Sequence, residues 1–163
     1  MNDNTAPTPR SDHALELFPY GLMIAATTEG ESPIGMVLTW AMQVSFHPPL
    51  VAVAIESSSR FREAVRRSGN LTLSFLPRES GADLAKEFLR GSRAAWPESV
   101  PLARSPSQMP YPHGAPAWMG CAVRHEFSTG DHDTVVGEVL EWGGGQVPGG
   151  ILTLRDTGWR YRR

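Results

Sequence analysis

The side chains that could do chemistry in this chain form a short roster. Histidines stand at positions 13, 47, 113, 125 and 132, and the one cysteine is Cys121. No pair of them has metal-motif spacing such as H-E-x-x-H or C-x-x-C. Cys121 and His125, four residues apart on one strand face, could in principle share a metal, but a lone strand cysteine reads first as a small core residue. The expectation is therefore no metal. A G-x-S-x-G elbow and a G-x-x-x-x-G-K-[ST] loop are both missing. Gly143 to Gly150 is glycine-rich but has no helix after it, so it does not read as a dinucleotide loop.

Two constellations survive this sorting. Ser57-Ser58-Ser59-Arg60 opens a helix, where free N–H groups and the helix dipole favour an anion and Arg60 adds a bidentate donor. The same serines read equally well as an ordinary N-cap. His132 ends a Gly130-Asp131-His132 run at a hairpin tip, which by itself is common turn chemistry. Trp40, in a strand, suits a core as readily as a ring-stacking site. Ser45 lies in a proline-terminated corner, where its hydroxyl can satisfy the backbone, and His47 reads as a surface residue of that corner.

The elements that must position these residues follow from the pattern. Gly35 to Met42 and Leu50 to Glu56 read as strands, the second almost continuously apolar. Gln43 to Pro49 between them cannot be regular sheet, because neither Pro48 nor Pro49 can donate to a ladder. Ala14 to Phe18 reads as a helical turn, and Tyr20 to Thr28 as a strand that turns at Glu29 to Pro33. Phe61, Ala64 and Val65 recur at helical spacing and Gly69 stops the run. Leu71 to Leu76 is a further strand and Ser80 to Leu89 a second helix, with Leu84, Ala85, Phe88 and Leu89 as its apolar stripe. Residues 91 to 117 hold six prolines and no sustained period, which predicts a long lid or dimer-contact loop. Trp118 to Thr129 and Thr134 to Trp142 read as a hairpin, and Ile151 to Leu154 with Trp159 to Tyr161 as a closing one. Seven or eight short strands and two helices make a mainly antiparallel barrel, with a β-sandwich as the alternative.

Composition bounds the rest. At 163 residues, 40% hydrophobic and 20% charged, the chain suits one globular domain with a real core. Residues 1–13 are polar and proline-bearing and read as a flexible lead-in with no secretory h-region, which leaves 14–163 as the domain. A net charge of −2 gives no footprint for nucleic acid. Arginines cluster at 60, 62, 66 and 67 and again at 160, 162 and 163, and both clusters read as solvated surface. Apolar runs stay short of membrane-spanning length, and a single cysteine fits a reducing, cytoplasmic setting.

Four segments, in this order and spacing, resemble the flavin reductase-like, FMN-binding split-barrel family. They are T-W-A-M-Q-V-S-F-H-P-P-L-V-A-V-A-I at Thr39 to Ile55, S-G-N-L-T-L-S-F-L at Ser68 to Leu76, Leu84-Ala-Lys-Glu-Phe88, and Gly130-Asp131-His132. The likeness runs from about Pro19 to Tyr161. It implies a six-stranded antiparallel Greek-key split β-barrel with two peripheral helices, a homodimer with flavin near the subunit interface. It places Thr39, Trp40, Ala41 and Met42 along the flavin ring, largely through backbone groups. Ser45 and the serines Ser57, Ser58 and Ser59 fall near the ribityl phosphate, with Arg60 beside them. Where the family pattern has a threonine as phosphate ligand this chain has Phe61, which moves those contacts onto Ser57 to Arg60. The resemblance sets His132 over the flavin where nicotinamide docks.

The function so implied is NAD(P)H-dependent flavin reduction. FMN is the expected cofactor, with FAD the alternative flavin, and NADH or NADPH is the donor. The acceptor is a partner oxygenase or another electron acceptor. A module that carries or stores flavin without its own NAD(P)H chemistry is the competing reading, and haem or pyridoxal phosphate on a related barrel is the third. Nucleic acid and membrane are not expected partners.

Overall fold

The computed structural model describes residue 15, residues 17–90 and residues 94–159. Nine strands and three helices follow one another along it. They are β1 (Met23–Glu29), β2 (Ser32–Leu38), β3 (Ala41–Ser45), β4 (Leu50–Glu56), α1 (Arg60–Ser68), β5 (Asn70–Phe75), α2 (Gly81–Arg90), β6 (Leu102–Arg104), β7 (Pro110–Pro112), β8 (Ala117–Ser128), β9 (His132–Gly144) and α3 (Leu154–Thr157). Seven of the strands form one antiparallel sheet in the order β2-β1-β5-β8-β9-β4-β3, and β6 pairs with β7 in a separate ribbon. Among the described residues no helix is long and apolar enough to cross a membrane.

The sheet has to curl. Its two edge strands, β2 and β3, are consecutive in the chain and joined by Thr39 and Trp40 alone. Seven strands at roughly 4.8 Å spacing would put the edges of a flat sheet about 29 Å apart. The peptide steps from Leu38 to Ala41 can span only about 11 Å. The edges therefore converge at Thr39–Trp40, where the Ala54 N–H donates to the Trp40 carbonyl at 2.9 Å, but β2 and β3 do not pair and the barrel stays open.

Helix α1 fills the inside of the curl. Its Phe61, Ala64 and Val65 are buried against Met23, Ala25, Val53, Ile55, Leu71, Leu73, Cys121 and Val135. A second core gathers Ile24 of β1 with Leu22 just before that strand and Leu76 just after β5, covered by Ala85 and Phe88 of α2 and by Leu152. Gly35 is required where α2 crosses β2, since a Cβ there would sit 2.7 Å from Phe88 Cε1. Gly69 ends α1 at φ 68°, a left-handed cap that glycine adopts without steric cost.

Several expectations change. The main sheet has seven strands rather than six, plus the small ribbon. The run expected as one strand from Gly35 to Met42 breaks at Thr39–Trp40, because the chain there passes from one sheet edge to the other. The prolines of residues 91–117 do not leave it structureless: Thr72 Oγ1 donates to the Pro110 carbonyl at 2.6 Å, anchoring the β6–β7 ribbon on the sheet. The closing hairpin is replaced by single bridges, Pro77 to Ile151 and Gly21 to Thr153, followed by α3. Residues 160 and 161 of that expected hairpin, the lead-in 1–13 and residues 14 and 16 of the 14–18 turn lie outside the described residues.

Candidate functional site

Two short chain crossings and one hairpin tip meet on the outer face of the sheet. From β2 and the corner come Met36, Val37, Leu38, Thr39 and Trp40. From β4 and the residues after it come Ala54, Glu56, Ser57 and Ser58, and from the β8–β9 turn Asp131 and His132. Together they line a cavity of about 740 Å³, within the range that holds a drug- or cofactor-sized ligand. Strand alternation explains its position. Val53 and Ile55 point into the core, so Ala54 between them faces outward.

Pairing of β4 with β9 brings the distant parts together, because Glu56 stands opposite His132 and Ile55 opposite Asp133. The Ser57 N–H then donates to the Asp131 carbonyl at 3.0 Å. The His132 imidazole lies against the Trp40 indole, with ring centroids 4.6 Å apart at 43°, and the Tyr20 ring lies 6.4 Å from that of Trp40. His132 Nδ1 is 2.7 Å from Asp131 Oδ1, and the hydrogen bond from His132 holds the Asp131 carboxyl below the usual carboxylate range. An ionised carboxylate only accepts, so Nδ1 is the donor and Nε2 is the nitrogen left for a ligand.

The expected residues thus fall into two groups. Thr39, Trp40, Ser57, Ser58 and His132 line one cavity. Ala41, Met42, Ser45, Ser59 and Arg60 do not line it. Met42 is on the exposed edge strand, and Ser45 sits at the irregularity that closes the β3–β4 ladder. Ser59 caps α1: its Oγ accepts from Arg62 N at 3.1 Å and donates to the Glu56 carbonyl at 2.7 Å. Arg60 is engaged by Glu29, donating to Oε2 from Nε at 3.0 Å and also from Nη2. Phe61 is buried in the core, so the threonine of the family pattern is replaced here by a packing residue.

Cys121 and His125 do not share a strand face. Cys121 is fully buried and its thiol is pushed up to about 12 by desolvation. A bulge between Val123 and His125 breaks the alternation, leaving His125 exposed and stacked on Phe127. Among the described residues there is no group of three or more His, Cys, Asp or Glu that could hold a metal.

Comparison with known proteins bears on this cavity. The flavin reductase like domain matches residues 15–155. This chain belongs to that family. A flavin reductase (NADPH) of Lentzea aerocolonigenes is 32% identical over 80% of this chain and 78% of its own length. The reductase component of 4-hydroxyphenylacetate 3-monooxygenase of Thermus thermophilus is 30% identical, over 78% of this chain and 79% of its own. Among solved structures, the styrene monooxygenase flavin reductase of Pseudomonas putida superimposes with a TM-score of 0.72 at 26% identity, covering 83% of this chain and 86% of that one. Two segments that carried the resemblance, the β2–β3 corner and the Gly130–His132 turn, border the cavity of this family member, together with Ser57 and Ser58.

Sequence reasoning missed four contributors: Tyr20, Asp131, Asp133 and Arg62. Asp131 and Asp133 flank His132 and were open to notice as polar neighbours in a turn. Arg62 could not have been found, because its partners lie more than 60 residues away and no local pattern announces them.

Proposed function

We propose that this chain is an NAD(P)H-dependent flavin oxidoreductase that takes FMN in the cavity at the β2–β3 corner. The observation that carries the reading is the meeting of Thr39–Trp40, Ser57–Ser58 and His132 around one cavity of about 740 Å³, in a member of the flavin reductase-like family. The residues fit a flavin at its ring end. The backbone of Thr39 and Trp40 can hydrogen-bond a ring edge, and the Trp40 indole offers an apolar face. At the phosphate end Ser57 and Ser58 stand on the cavity wall, their hydroxyls donating to Asp133 Oδ1 at 2.9 Å and to Glu56 Oε1 at 3.0 Å, while the nearest expected cation, Arg60, is held by Glu29. FMN is the flavin preferred on this reading and FAD the alternative.

Bound there, the flavin supplies the hydride acceptor for NADH or NADPH. The protein has to bind, orient and exclude water, and no acid–base residue is needed for the hydride itself. Trp40 and Leu38 form the apolar wall, and His132, its Nδ1 fixed by Asp131, orients the nicotinamide through Nε2.

The same reading extends to assembly. Met42 and Val44 on edge strand β3, Phe46 just after it, and Leu140 and Trp142 on β9 are exposed apolar side chains, a surface that a second copy would cover as a homodimer. Residues 14–163 form its single domain, and the buried lone cysteine suits a reducing cytoplasm. A partner oxygenase is the natural consumer of reduced flavin, as the Thermus relative is the reductase component of a monooxygenase.

Oxidation of NADH and of NADPH, followed at 340 nm with and without FMN, tests the activity. Turnover well above the free-flavin background is expected. FMN binding with no turnover would instead leave a carrier or storage module.

A further inference from the structure

Immediately behind the cavity wall lies an ion-pair network built on one buried arginine. Arg62, on the first turn of α1, has a side chain only 7% exposed. Its Nε donates to Asp133 Oδ2 at 2.9 Å and its Nη2 to Glu126 Oε2 at 2.9 Å. Asp133 in turn accepts from Ser57 Oγ at 2.9 Å and from Ser128 Oγ at 3.3 Å through Oδ1. The Ser57 hydroxyl and the Arg62 charge together hold the Asp133 carboxyl below its usual range.

One guanidinium therefore ties three segments. It fastens the start of α1 to the end of β8 at Glu126 and to the start of β9 at Asp133, and Asp133 passes the tie to Ser57. Two of those segments present Ser57–Ser58 and Asp131–His132 to the cavity. The guanidinium meets the two carboxylates from separate nitrogens of one rigid planar fork, a geometry that the point-like ammonium of a lysine does not reproduce. Without the cation, two carboxylates brought close by the fold would repel each other at the root of the turn that carries His132.

We propose that Arg62 is a positioning residue of the cavity: through Asp133 it fixes Ser57 and the His132 imidazole at the spacing that nicotinamide docking requires. The nicotinamide part of this proposal rests on the flavin reductase reading, whereas the clamp on His132 does not. Misplacement of a docking group by about 1 Å can cost orders of magnitude in rate, so the effect belongs in the kinetics as well as in stability.

The test compares the wild type with Arg62→Gln, and with the triple variant Arg62→Gln/Asp133→Asn/Glu126→Gln, which removes the carboxylates that the single change strands. Three quantities are read on the folded proteins: the NMR signal of the His132 ring protons, which feels the Trp40 ring current, the FMN Kd, and KM and kcat for NADH. In both variants the His132 signal is expected to lose its Trp40 ring-current shift, and the KM for NADH to rise about tenfold or more, a larger factor than the rise in FMN Kd that release of Ser57 brings. Arg62→Lys is expected to recover only part of the KM. An unchanged His132 signal in a folded variant overturns the clamp, as does a parallel loss of stability, flavin affinity and turnover that leaves the signal in place. A wild-type protein that oxidises no NAD(P)H overturns the functional reading and the nicotinamide role with it, and the His132 signal still decides the clamp.

Discussion

At the scale of single residues, the cavity owes its character to His132 and Trp40. Their rings touch, so each limits where the other can go. His132→Ala is expected to lower kcat/KM for the nicotinamide by about tenfold or more while changing FMN affinity little, which steady-state kinetics beside a flavin titration would read. A loss of FMN affinity larger than the loss of kcat/KM would remove the role assigned to His132. Arg60 gives the opposite kind of lesson. The sequence offered it as a phosphate donor, but a cation at a helix start pairs with whatever carboxylate the fold brings near, and here Glu29 engages it along with Arg67. The hydrogen bond from Arg60 holds the Glu29 carboxyl below its usual range. Glu29→Gln weakens that pairing and should tighten FMN binding by a few-fold, whereas an unchanged Kd would mean that Arg60 plays no part at the phosphate. His132 and Trp40 were legible because their neighbours in sequence are also their neighbours in the site. Arg60's true partner, 31 residues upstream, was not.

At the scale of elements, most strands were legible from alternation and from proline and glycine punctuation. Helix α1 was legible from Phe61, Ala64 and Val65 and from its glycine stop. What composition concealed was the division of labour inside Ser57 to Ser59. Ser57 and Ser58 reach the cavity, while Ser59 has the geometry of an N-cap. Ser59→Ala should therefore cost about 1 kcal/mol of stability, as N-cap removals do, with little change in FMN affinity. Thermal or denaturant unfolding together with a flavin titration separates the two effects, and a large affinity loss at unchanged stability would return Ser59 to the phosphate site. The β6–β7 ribbon was hidden for a different reason. Its strands are three residues long and proline-bearing, so neither period nor propensity marks them, and a tertiary hydrogen bond from Thr72 settles their place. The break at Thr39–Trp40 was equally silent, because an apolar strand reads the same whether it stays on one sheet edge or crosses to the other.

At the scale of the molecule, the curled sheet brings residues nearly a hundred positions apart, Trp40 and His132, into one site. It also ties stability to charge. Asp133 joins α1 to the β8–β9 turn, and its carboxyl is depressed first by the Ser57 hydroxyl and then by Arg62. A carboxyl with a lowered folded-state pKa adds stability above its unfolded value, about 3.9, and loses it as pH falls through the folded value. The melting temperature of the wild type should accordingly fall below about pH 4, and that of Asp133→Asn should fall less steeply over the same range. Equal slopes would mean that the ion pair does not contribute to folding.

The central claim is that the cavity at the β2–β3 corner is the flavin site. Ala54 lines it from β4, flanked by the core residues Val53 and Ile55, so a larger side chain there fills the cavity without entering the core. A fluorescence titration with FMN on wild type and Ala54→Phe, both verified as folded, reads this directly. The account predicts saturation of the wild type at one FMN per chain and loss of that binding in Ala54→Phe. FMN binding of equal strength in the two proteins would contradict it.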